Sequence, residues 1–524
     1  MGRQGSREDY LQLGMNSNSK TVTREKTFTV FTITEALSTL SALIVGIALA
    51  RLLSKADLGI YREVLFVFSF VGSLLLLELP TAVLYFLPRF KGKERRLYIE
   101  STYIFSIIAG IVFILLFFFL SPVFEDYGTK VEGTANLFIL ISIAAPFAFI
   151  VLFFRHILVT IRELKTLFYF GIIYAFLSAL PIAAYFLAGS EGQRLKFLIL
   201  AVVVQSVVGA IIAISWFLRS KAKQHDRLEL SLRKPLGFIR RNWREQFRYS
   251  IYLFAHLPMV LLAKDFDRLI IMGFLSASSF AVYTIGAVRI PFLPTLRTAL
   301  VNTLVPEIAD KYHETGEVPR ESLHAWRRAI QLTALILIPA FVFLEIFSHE
   351  LIIGLYTMQY AESVPIFRAY LFLVPSYLLS FAIFLQGTGH TKPILISSII
   401  FLTINVALSL VLLKFLGLVG PAIGTVVANF IGIGYLWKES RKVIGGEPLG
   451  AVVGKDLLRI LAESLIAGII IKSILFFTCA DLNYLIQLVI GLAGSSGLVL
   501  IIWYFCRRDT LRELWTLARR MLRR

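Results

Sequence analysis

Residues 97–121 read LYIESTYIFSIIAGIVFILLFFFLS, and past Glu100 no charge interrupts them. About 20 apolar residues rising ~1.5 Å each cross a ~30 Å hydrocarbon core as a single helix. Lipid offers backbone amides no partner, so such a run must take the helical form, whose hydrogen bonds are internal. Working outward, thirteen comparable runs flank it, at 28–50, 61–88, 135–160, 164–187, 195–218, 249–274, 281–306, 326–348, 363–388, 391–414, 418–438, 453–477 and 483–506. Composition agrees: 57% of residues are hydrophobic, 17% are charged, and mean hydropathy is +0.76. These features predict an all-α, polytopic membrane protein of about 14 transmembrane helices. The run at 61–88 exceeds what a bilayer requires and contains Pro80, which predicts a tilt or kink. Ala48-Leu49-Ala50 resembles a signal-peptidase site, but the apolar stretch before it is too long for a cleaved signal, so the run is read as a retained helix.

Lysine and arginine sort by membrane side. With the N-terminus inside, inner segments hold 39 of the 53 basic residues, outer segments hold seven, and the remaining seven lie within spans. This imbalance predicts cytoplasmic N- and C-termini and an even number of spans. The net charge of +19 then reflects basic loops beside anionic membrane lipids, and no nucleic-acid partner is needed to explain it. Segments 227–246 and 508–522 have the apolar spacing of helices lying on the membrane surface. Cys479 and Cys506 are expected at opposite faces, and the seven histidines are scattered without ligand spacing. Gly450 to Lys455 lacks the spacing and the Ser or Thr of a phosphate loop. No cofactor and no metal site are expected.

Internal repetition suggests the organisation. Residues 52–61 (LLSKADLGIY) align without gaps on 274–283 (FLSASSFAVY), an offset of 222. TAVLYFLP, ending at Pro88, resembles TALVNTLVP, ending at Pro306, with one residue inserted. Residues 162–173 (RELKTLFYFGII) align on 389–400 (GHTKPILISSII), an offset of 227. The three pairs, in the same order and at similar offsets, predict two six-helix lobes, 28–218 and 249–438. A cytoplasmic tail (1–27) precedes them, a basic cytoplasmic linker (219–248) joins them, and two more helices (453–506) and a basic amphipathic tail (507–524) follow. Six spans per lobe give both lobes one orientation, so the pseudo-axis runs along the membrane normal. Parallel repeats of this kind occur in transporters whose substrate site lies between the lobes.

Residues 48–89 (ALARLLSKADLGIYREVLFVFSFVGSLLLLELPTAVLYFLPR) resemble the opening segment of polysaccharide-biosynthesis flippases of the Wzx type. The superfamily of those proteins also contains the lipid II flippase MurJ and the MATE drug antiporters. Residues 417–428 (GLVGPAIGTVVA) resemble that family's Gly/Ala-rich start to its twelfth helix, and 384–392 (FLQGTGHTK) its tenth-to-eleventh inner loop. The resemblance covers about residues 28–440 and lies in packing and turn patterns. It implies export of a polyprenyl-diphosphate-linked glycan across the plasma membrane for surface polysaccharide assembly, with glycosyltransferases and a polysaccharide polymerase as functional partners.

A diphosphate headgroup needs cations that stay charged when desolvated, and guanidinium forks bind phosphate oxygens in pairs. The eighth span carries Arg289 and Arg297 and no acid, with Pro291 and Pro294 between them loosening the helix. These arginines are the leading candidates for headgroup capture; pairing with Glu35 or Glu78 is the competing reading. In the seventh span, Lys264 and Arg268 either face the cavity or pair within the helix with Asp267 and Asp265. Arg62, beside Glu63 at the start of the second span, is a further cavity candidate or an interfacial residue. Glu35, Asp265 and Asp267 are the candidate cavity or coupling-ion acids. Tyr61, Tyr85, Tyr252 and Tyr283 are read as sugar-stacking or interfacial residues. Arg368 and Glu345 are read as packing or mutual partners, and Lys472 as snorkelling outward. A MATE-type cation antiporter is the second reading, because the first, second, seventh and eighth spans together hold five basic and five acidic residues. A membrane glycosyltransferase or polymerase fits less well, because the longest outer connections, 122–134 and 349–362, offer no convergent acid/base set. The protein is therefore expected to be a transporter and not an enzyme.

Overall fold

Polar residues inside the 97–121 run are satisfied within their own helix. The hydroxyls of Ser101, Thr102 and Ser106 donate to the carbonyls of Leu97, Tyr98 and Thr102, one turn back, at 2.6, 2.8 and 2.9 Å. This helix runs Gly92–Phe124, beyond both expected ends. Ile111, Leu115, Phe118 and Phe119 are exposed at helical spacing along it, as a lipid-facing stripe requires. The computed structural model describes residues 34, 36–76, 79–222, 262, 265–288, 290, 293–445, 449–478 and 482–506. Among them every regular element is a helix.

In chain order these are α1 (Ala36–Leu52), α2 (Lys55–Leu75), α3 (Leu79–Phe86), α4 (Gly92–Phe124), α5 (Ala135–Ser142), α6 (Ala145–Ile161), α7 (Leu164–Leu177), α8 (Leu180–Leu187) and α9 (Glu191–Ala222). There follow α10 (265–274), α11 (Ala277–Gly286), α12 (Leu293–Thr315), α13 (Arg320–Ile346), α14 (Ser348–Tyr356), α15 (Ser363–Leu371), α16 (Leu373–Ser376) and α17 (Ala382–Gly387). The last four are α18 (Lys392–Leu416), α19 (Val419–Ile444), α20 (Leu449–Thr478) and α21 (Tyr484–Cys506). Among the described residues, nine helices are long and apolar enough to cross a membrane, and α5 with α6, bent by 45°, makes a tenth. The other four expected spans correspond to α1, α10, the pair α11 and α12, and the series α15 to α17, which are too short or too polar to count by that measure. The chain is a multi-pass membrane protein.

Proline explains several breaks. The second span divides between α2 and α3, with Pro80 in the first turn of α3, where a missing amide proton costs little. The tenth span, expected as one helix, is instead three short ones, with Pro375 in the second of them. Ser54 and Ser276, aligned by the 222-residue offset, cap α2 and α11 by accepting from the amides of Asp57 (3.1 Å) and Ser279 (3.3 Å).

Contacts divide the chain into two compact units, Met1–Leu53 with Ile60–Pro258, and Ser54–Gly59 with Met259–Arg524. In the first unit α4 packs on α5 and α6, and α6 on α9. Phe113 sits in its core, stacked on Phe117 at 4.2 Å and met edge-on by Phe149 at 5.8 Å. In the second unit α18 and α19 form a close hairpin. A side chain at Gly420 would stand 2.2 Å from the Leu412 carbonyl oxygen, so this approach requires glycine.

The last two helices are built into the second unit, α20 against α13 and α21 against α14. Lys472 does not snorkel outward as expected. Its ammonium is ion-paired with Glu350 of α14 and lies 5.0 Å from the centroid of the Phe347 ring. Trp503 donates its indole N–H to Glu463 Oε2 at 3.0 Å, and Gln331 donates to Asp456 Oδ2 at 3.0 Å. An ammonium with a buried carboxylate within reach gains more from that partner than from a stretch to the interface.

Candidate functional site

Within the second unit, a connected set of buried polar groups joins α10, α11, α15, α18 and α19. Its centre is Asp267 on α10, only 5% exposed. The hydroxyl of Tyr283 on α11 donates to Asp267 Oδ2 at 2.7 Å, and that of Tyr370 on α15 donates to the same oxygen. The two hydroxyl oxygens are 2.8 Å apart. Asp267 Oδ1 accepts the backbone N–H of Arg268 at 2.9 Å, so both carboxylate oxygens are engaged. The Thr425 hydroxyl of α19 lies near enough to Tyr370 to act on it electrostatically. Thr425 and Ser409 each donate to Oδ1 of Asn405 on α18 at 3.0 Å, and Asn405 is 1% exposed.

Packing holds these helices in register. The Ser363 hydroxyl at the start of α15 donates to the Val282 carbonyl of α11 at 2.7 Å. One turn before Asp267's partners come together, Asp265 takes an ion pair from Arg268, Oδ1 to Nη1 at 3.0 Å, with both side chains largely buried. The i, i+3 spacing anticipated this pair. A buried charge is tolerated only when paired or hydrogen-bonded, and this cluster provides both arrangements side by side.

The expected site residues are distributed as follows. Asp265, Asp267 and Arg268 come together on α10. Arg62 lies in the first unit on α2, half-buried, with its guanidinium beside Gly46 of α1. Glu35, Glu78, Lys264 and Arg289 lie outside the described residues, and so do the Tyr252 site and the surface segments 227–246 and 508–522. Arg297 stands on the backbone of α12, with its side chain outside the described set. α11 ends at Gly286, ahead of both prolines, and α12 begins at Leu293 with Pro294 in its first turn; Pro291 lies outside the described residues.

Tyr283 is not available for sugar stacking. It is fully buried and committed to Asp267. Tyr85 is exposed, and Arg89 lies over its ring at 4.0 Å. Arg368 donates to the Ser348 hydroxyl at 2.6 Å and lies 4.0 Å from Glu345. Tyr370, Asn405, Ser409 and Thr425 were not anticipated, because uncharged polar residues inside spans stand out less than charged ones. Their signal was available as single polar residues at 405, 409 and 425 inside apolar helices.

The fold is similar to that of the lipid II flippase MurJ in an inward-closed conformation, with a TM-score of 0.64 at 17% identity, covering 91% of this chain and 99% of that one. It is also similar to an inward-facing multidrug resistance MATE family transporter of the MOP superfamily, with a TM-score of 0.52 at 17% identity over 80% of this chain and 96% of the other. A third similar structure is a MOP superfamily transporter from Pyrococcus furiosus with a binding pocket of reversed polarity, at a TM-score of 0.50 and 18% identity over 81% of this chain and 95% of that one. At such identities the likeness speaks for the fold. No curated protein matches the sequence significantly. Residues 48–365, more than half of the chain, match the family model described as polysaccharide biosynthesis protein, and the chain belongs to that family.

Proposed function

We propose that this protein moves a polyprenyl-diphosphate-linked oligosaccharide across the plasma membrane by alternating access, with both termini in the cytoplasm. Family membership and a flippase-like fold support transport of a lipid-linked precursor. The observation that carries the reading further is that α11 ends at Gly286, with Ala287, Val288 and Ile290 outside any helix and α12 starting at Leu293. In the sequence Arg289 falls between α11 and α12, and Arg297 belongs to the first turns of α12, in a span with no acid, which suits capture of a diphosphate. Lys264, Arg268 and Arg62 are assigned supporting roles toward the anionic headgroup. The lipid tail stays in the bilayer while the headgroup crosses. A cytoplasmic glycosyltransferase would supply the substrate and an external polymerase would consume it. The protein itself makes and breaks no bond.

We assign coupling to Asp267, with Asp265 held by Arg268 and Glu35 as a second candidate acid. Asp267 also favours the alternative of a cation antiporter, since a buried acid tied to two tyrosines suits cation exchange as well. The two readings separate in one assay. Arg289→Ala and Arg297→Ala should reduce export of lipid-linked glycan while leaving the protein folded and inserted. Normal export in the double variant would remove both arginines from the site. Efflux of small organic cations without glycan export would favour the antiporter.

A further inference from the structure

Glu63, near the start of α2 in the first unit, is 0% exposed, and among the described residues neither of its carboxylate oxygens has a hydrogen-bond partner. The unit supplies few groups that could match it. Phe68 and Gly72 set α2 against Phe113 of α4 and Phe149 of α6. In those elements, α1 has no ionisable residue from Ala36 to Ala50, α4 has only Tyr103 between Ser101 and Pro122, α5 has none, and α6 has none before Arg155. The charged groups left at that end of the unit are Arg51, Arg62, Glu125, Asp126, Lys130, Glu132, Glu191, Arg194 and Lys196, of which Arg194 is ion-paired with Glu191 at 2.9 Å. Arg62 is the adjacent residue, and neighbours in sequence project from different sides of a helix. Glu125 is engaged elsewhere, accepting the amides of Gly133 and Ala135 at 3.1 and 2.5 Å. Lys130 is the cation that acts on Glu63 electrostatically.

An ionised carboxylate buried without hydrogen-bond donors loses its hydration and finds no donor to replace it. A metal ion would need several oxygen ligands. Among the described residues, no group of three or more acids, histidines and cysteines is placed to hold one. A proton needs only the carboxylate itself.

We propose that Glu63 is a proton-binding site of the first unit. It is carried as the neutral acid in this conformation. It ionises when water reaches the carboxylate, with the charge of Lys130 favouring the ionised form, its O–H bond breaking and the proton passing to that water.

The test is infrared spectroscopy of the purified full-length protein in lipid nanodiscs, comparing wild type with Glu63→Gln and Lys130→Gln. At neutral pH the wild-type-minus-E63Q difference should contain a protonated-carboxyl C=O band that shifts in D2O. In Lys130→Gln that band should persist to higher pH, because the cation favouring the ionised form is gone. A carboxylate band in place of the protonated one, or no difference at all, overturns the proposal. Should Glu63→Gln fail to fold, the Lys130→Gln titration alone decides, and one that superimposes on wild type counts against it. The readout involves no glycan, so it stands or falls separately from the transport assignment.

Discussion

A carboxylate inside a membrane-spanning unit has to be matched, and Asp267 is matched by hydroxyls 16 and 103 residues further along the chain. The sequence offered it Lys264, one helical turn away, and Arg268, its neighbour. Spacing therefore identified the Asp265–Arg268 pair correctly and left Asp267's tyrosines unseen. Tyr370→Phe removes one donor to a charged acceptor and should lower stability by about 1.5–3 kcal/mol, read as an earlier unfolding transition in detergent. An unchanged transition would mean that Tyr283 suffices alone. Asp267→Asn keeps an acceptor oxygen for both tyrosines, so folding should survive. Under the coupling role proposed above, its transport should no longer respond to an imposed ion gradient, and an undiminished response would remove Asp267 from that role.

Helices follow from periodicity, but their breaks and partners do not follow equally. An interruption of the eighth span was expected from Pro291 and Pro294, because proline acts locally through its missing amide and its ring, and α11 does end before them, at Gly286. The division of the tenth span into α15, α16 and α17 was not read from Pro375, since many membrane helices absorb a proline when neighbours satisfy the freed carbonyls. The docking of α20 and α21 was likewise invisible, as Lys472 and Glu350 are 122 residues apart. Lys472→Met should leave Glu350 buried without its cation. The cost should fall at the lower end of about 3–5 kcal/mol, because 34% of the lysine side chain remains exposed. Adding Glu350→Gln should recover most of that loss, and a double variant no more stable than the single one would contradict the pairing.

Across the whole molecule, basic residues predict orientation, and the prediction can be read by labelling. In a background without Cys479 and Cys506, Ser231→Cys should react with an impermeant maleimide only after the cells are permeabilised, and Asp126→Cys in intact cells. The reverse pattern would invert the topology. Class and approximate spans were determined by the sequence alone. They depend on how apolar residues partition into lipid and on how each backbone amide is satisfied, and both are local along the chain. Which helices touch, which acid meets which hydroxyl, and which carboxylate is left without a donor were decided only in the tertiary structure. Those pairings depend on side chains brought together from distant helices, and a buried charge takes whichever partner packing delivers.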